Sequence, residues 1–73
     1  MDLQKKIYNF ILDFWKLIKR YTPRPKQEDQ KVFAEITDEI EKLNKAHDDK
    51  SPEAQMFKKM MVVWMDYLAG KFD

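Results

Sequence analysis

Side chains able to do chemistry are few in this chain of 73 residues, and their spacing suits catalysis poorly. The only histidine, His47, is followed directly by Asp48 and Asp49. An imidazole beside two carboxylates raises the question of a metal or of acid–base work. Zinc wants four ligands, chiefly Cys and His, and calcium wants a spaced set of oxygens; three adjacent residues supply neither. The chain has no cysteine to complete such a set. His47 also falls in helical phase with Ile36, Ile40 and Leu43, so a half-buried or helix-capping histidine is expected, with a pH-sensitive turn as the alternative.

The remaining candidates are no stronger. Glu35, Asp38, Glu39 and Glu41 crowd one stretch, mostly on what a helical wheel makes a solvated face, where nothing raises a carboxylate's pKa toward neutrality. Ser51 precedes Pro52 and Glu53, the pattern of a helix N-cap, and no base flanks it in the sequence. The chain is therefore expected not to be an enzyme and to hold no cofactor or metal. Lys5, Lys6, Lys16, Lys19 and Arg20 surround Trp15 and make the first segment basic and amphipathic. Such a helix can lie on an anionic membrane or touch phosphates. Set against that, the net charge is only +1. Residues 1–26 carry seven Lys/Arg against two Asp/Glu, while residues 27–49 carry three against eight. Basic and acidic segments in one chain predict internal pairing more than a polyanion-binding surface.

The elements that hold these residues are read from punctuation and period. "TPRP" at Thr22–Pro25 interrupts the chain, since each proline disfavours helix in the residue before it. "HDDKSPE" at His47–Glu53 interrupts it again, with Ser51 as cap and Pro52 at the first helical position. The single glycine, Gly70, stands where a helix ends in a left-handed residue. Strand and hairpin signals are missing. The prediction is an all-α, small three-helix bundle, one helical domain over residues 1–73, with helices at about 2–21, 26–46 and 52–69. Glu28 and Asp29 fall in the first turn of the second helix on this reading.

The first helix carries a seam of Leu3, Ile7, Phe10, Phe14, Leu17 and Tyr21, widened by Ile11 and Ile18. Tyr8, Leu12 and Trp15 form a second stripe, so the apolar arc covers roughly 220° at about 100° per residue. The second helix offers only Val32, Phe33, Ile36, Ile40 and Leu43, a single narrow stripe. The third holds six consecutive apolar residues, Met60 to Met65. Apolar residues nearly all round predict a helix covered from several sides, either by the other two or by a second chain. Methionine suits such a place because it is unbranched and fills irregular gaps.

Two wide apolar faces and one narrow one do not cancel. Some of Tyr8, Leu12 and Trp15 on the first helix, and Met56, Met60, Val63 and Tyr67 on the third, should be left over. They are either buried internally, with the tail Lys71–Asp73 folded back over part of them, or offered to a partner. The expected binding face is Tyr8, Leu12 and Trp15, extended by Met56, Met60 and Tyr67, with Lys16 and Lys19 as its polar rim. The expected function is a non-catalytic protein–protein interaction module that acts stoichiometrically, as adaptor or inhibitor. Its partner is another protein or a second copy, giving a homodimer. The alternative is a peripheral membrane or nucleic-acid accessory protein using the basic side of the first helix. In size and character the chain looks like the small accessory proteins of phages and mobile elements, a likeness that rests on no motif. No run of residues is apolar enough to span a membrane, and residues 1–20 lack the pattern of a secretory signal, so a cytoplasmic address is expected.

Overall fold

Three short polar side chains start the three helices. The structure, a computed structural model, describes residues 2–73. Asp2 accepts from the Gln4 amide and opens α1, Leu3–Arg20. Asp29 accepts from the Val32 amide and opens α2, Gln30–His47. Ser51 accepts from the Ala54 amide and opens α3, Pro52–Leu68. Each cap satisfies an amide that has no partner inside its own helix. At the far end of α3, Gly70 adopts φ 79°. Its amide donates to the Tyr67 carbonyl and that of Lys71 to the Asp66 carbonyl, the paired bonds of a Schellman end.

The second helix begins four residues later than its sequence predicts. Asp29 is its cap and not part of its first turn. Residues 21–29 instead form a connection fastened to the end of α3. Arg24 grips the Asp73 carboxylate through both terminal nitrogens at 2.9 Å, donates to the Tyr67 carbonyl, and lies 5.2 Å from the Tyr67 ring centre. Gln27 donates to the Leu68 carbonyl. Backbone that the wheel would place in a helix is thus held by tertiary bonds.

Contacts along the helices give their directions. Arg20 pairs with Glu39 and Asp13 with His47, so α1 and α2 are antiparallel. Lys6 reaches Glu53 near the start of α3, Phe10 stacks on Phe57, and Arg24 meets Tyr67, so α1 and α3 run parallel. The core gathers Phe10, Phe14 and Leu17 from α1, Ile36 and Leu43 from α2, and Phe57, Met61, Trp64 and Leu68 from α3. Phe10 and Phe57 lie face to face at 4.1 Å, and Phe14 meets Trp64 edge-on at 5.7 Å.

The apolar run of α3 is only partly enclosed. Met61 and Trp64 are buried and Met60 and Met65 half-buried, but Val62 and Val63 are exposed. Nor does the tail cover the excess: Asp73 is drawn to Arg24, and Phe72 stays exposed. The molecule measures 42 × 20 × 17 Å with a radius of gyration of 12.9 Å. A well-rounded chain of this length would have about 11 Å, so one dimension is drawn out and a long side face results. No helix among the described residues is long and apolar enough to cross a membrane.

Candidate protein-binding face

The positions 56, 60, 63 and 67 recur at spacings of four, three and four, which puts Met56, Met60, Val63 and Tyr67 on one face of α3. That face borders α1, because Phe14 and Ile18 of α1 line the same groove, while Met65 on the opposite flank of α3 lines a cleft with Phe33, Ile36 and Thr37 of α2. Between α1 and α3 the edge-on pair of Phe14 and Trp64 fills the space with aromatic rings. The two backbones accordingly approach each other less closely than either approaches α2. The result is an open groove of about 780 Å³ with Phe14 and Trp64 among its lining residues. Ile18 lines it from α1, and the four residues of the α3 stripe line it opposite. Gln55 and Lys59 are the polar residues on its edge, and no carboxylate lines it.

The expected binding residues divide between this groove and the back of α1. Met56, Met60 and Tyr67 line the groove together. Tyr8, Leu12 and Trp15 do not line it; all three are exposed, Tyr8 at 62% and Trp15 at 53%. At about 100° per residue they project away from Phe10 and Leu17, the core side of α1. Lys16 and Lys19 are exposed on the same outer side. The two halves are joined by Ile11 and Ile18, which neighbour Trp15 at i−4 and i+3 on the helix surface. Ile11 is exposed as well, so apolar surface continues from groove to ridge.

Reasoning from the sequence placed Phe14, Ile18 and Trp64 among apolar helix positions, without assigning them to the binding face. Nothing in the sequence of α1 singles out Phe14 and Ile18; its contacts with α2 do. Asp13 and Arg20 engage His47 and Glu39 of α2, which marks the side of α1 that α2 covers and leaves Ile18 on the other.

The chemistry-bearing groups are occupied structurally. His47 is half-buried, as expected, at the end of α2, with its Nε2 2.8 Å from Asp13 and its ring edge-on to Phe10 and Phe57. Ser51 does have an amine beside it, unforeseen from sequence: Lys6 Nζ lies 2.8 Å from Ser51 Oγ. The hydroxyl donates to Asp49 and accepts from the Ala54 amide, while Lys6 also salt-bridges Asp49 at 2.6 Å. That network holds the Asp49 carboxyl far below the usual carboxylate range, chiefly through Lys6 and then through Ser51. It ties the start of α1 to the start of α3. Among the described residues, no group of three His, Cys, Asp or Glu side chains could hold a metal ion.

The expected pairing of basic residues 1–26 with acidic residues 27–49 is realised, among the described residues, at Arg20–Glu39 and Lys6–Asp49. Lys5, Lys16 and Lys19 form no salt bridge among the described residues. No family model, curated protein or solved structure matches this chain.

Proposed function

We propose that this protein is a non-catalytic interaction module that binds another protein through the groove between α1 and α3, acting stoichiometrically as an adaptor or inhibitor. One observation carries the reading. Met56, Val63 and Tyr67 stay substantially exposed along a single groove whose residues are almost all apolar. Burying one large apolar side chain is worth roughly 1.5–3 kcal/mol, so leaving several in water is a considerable cost for a small domain. Contiguous apolar surface of this kind, rich in aromatic and methionine side chains, is characteristic of interface cores. The test is affinity capture from the native cell with wild type and with Val63→Glu. Retention of a protein near one-to-one by wild type and its loss from the variant is the expected result. Equal retention by both contradicts the reading.

A second reading rests on the outer ridge. Tyr8 and Trp15 are more than half exposed, and Lys5, Lys16 and Lys19 beside them form no salt bridge among the described residues. That combination fits a helix resting on an anionic surface. Co-sedimentation with anionic vesicles that Trp15→Ala abolishes would favour it over the groove.

A further inference from the structure

The groove has a shape and a charge that narrow its occupant. It extends along α3 from Pro52 to Tyr67, a rise of roughly 22 Å at about 1.5 Å per residue. Its two walls are parallel helices, and α2 closes only the opposite side. Three helices thus hold three positions of a four-helix arrangement, with an apolar trough at the fourth. A straight amphipathic helix fills such a trough along its length.

Charge chooses between a second copy and a different chain. Lys59 lines the groove, whose lining residues include no carboxylate. It forms no salt bridge among the described residues. The carboxylates of the two walls are turned elsewhere or engaged. Asp13 pairs with His47, Glu53 with Lys6 and Asp66 with Lys71. Asp2 serves as the cap of α1. A symmetric dimer built groove to groove would enclose two Lys59 side chains with no groove carboxylate from either copy to pair with them, which opposes association. An acidic flank on an incoming helix answers Lys59 favourably.

We infer that the α1–α3 groove receives an amphipathic helix of another protein whose apolar stripe is flanked by carboxylates, completing a four-helix bundle. This inference rests on the interaction-module reading and specifies its partner.

Two synthetic helical peptides of about 18 residues test it, long enough to span the groove. They share one leucine stripe and differ only in flanks of Glu or of Lys. Methyl-13C methionine spectra and peptide fluorescence anisotropy report the site and the affinity. The Glu peptide should shift Met56 and Met60 saturably and bind about five- to tenfold tighter than the Lys peptide, an advantage that shrinks with added salt. Val63→Glu, at a position 55% exposed, should abolish binding while leaving the circular dichroism spectrum unchanged. Lys59→Glu should reverse the preference.

Equal binding of both peptides in the groove would overturn the acidic partner, although the groove would still stand as a binding site. No shift at Met56 or Met60 with either peptide would overturn the helical occupant. Native capture sensitive to Val63→Glu would in that case still support the broader reading. Two further results would overturn the inference. One is a dimer in sedimentation velocity that Val63→Glu dissolves, which assigns the groove to a second copy. The other is a shift of the same methionines by anionic vesicles alone, which assigns it to lipid.

Discussion

Two polar clusters, one at each end of the molecule, show how single residues hold parallel α1 and α3 in place. At one end Lys6 bridges Asp49, Ser51 and Glu53; at the other Arg24 clamps Asp73. Asp49 is held far below the ordinary carboxylate range by Lys6 first and Ser51 next, and Asp73 is lowered by its bond to Arg24. A carboxyl whose pKa falls on folding contributes stability above its unfolded value, near 3.9, and that contribution is lost as pH falls toward the folded value. Thermal unfolding followed by circular dichroism should therefore show a melting temperature that drops as pH is taken below about 4. Asp49→Asn should flatten that drop. Both carboxylates are solvent-exposed, so the change is expected to be modest. Phe57 lies at the other extreme, 1% exposed and stacked on Phe10. Phe57→Ala should remove roughly 3–5 kcal/mol, much of what a domain of this size has in hand, read as a steep fall in the urea midpoint.

Among the elements, α3 was the most legible from sequence and α2 the least. Ser51, Pro52 and Gly70 act through local backbone geometry, so their roles could be inferred without a fold. Gly70→Ala would meet both an unfavourable positive φ and a side chain, Gln27 Nε2, 3.1 Å from the added methyl. It should cost about 1–2 kcal/mol, read as a lower denaturation midpoint with an unchanged slope. The start of α2 was misjudged because Arg24 and Gln27 spend their donors on the end of α3, a decision made by residues more than forty positions away. The groove was half legible in the sequence for a related reason. Spacing alone puts Met56, Met60, Val63 and Tyr67 together. Whether Tyr8, Leu12 and Trp15 join them depends on which side of α1 faces α2, and a helical wheel carries no information about its neighbours. A double variant, Trp15→Ala with Leu12→Glu, should keep its helical signal, since both residues are exposed. Trp64→Ala, by contrast, should lose much of it, because Trp64 is 9% exposed in the core.

For the molecule as a whole, the imbalance visible in the sequence survives folding. The narrow stripe of α2 covers one side of the α1–α3 pair, and the other side stays apolar and open over much of a 42 Å length. That asymmetry is what the proposed function requires. Sufficient core exists to fold the chain: aromatic rings from α1 and α3 interlock with Ile36 and Leu43 of α2. What remains outside is arranged as a groove and an adjoining ridge instead of being scattered. Substitutions there should divide cleanly from core substitutions, with Val63→Glu changing stability by no more than about 0.5 kcal/mol in urea denaturation.

The most direct measurement of that division is the access of a soluble paramagnetic probe to the methionine methyls of the isolated protein. Met61 is 3% exposed in the core and Met56 is 41% exposed in the groove, so one chain supplies both the test and its control. Strong broadening of Met56 with Met61 unaffected is the predicted result. Equal protection of the two methyls would contradict an open face and remove the surface on which the proposed binding depends.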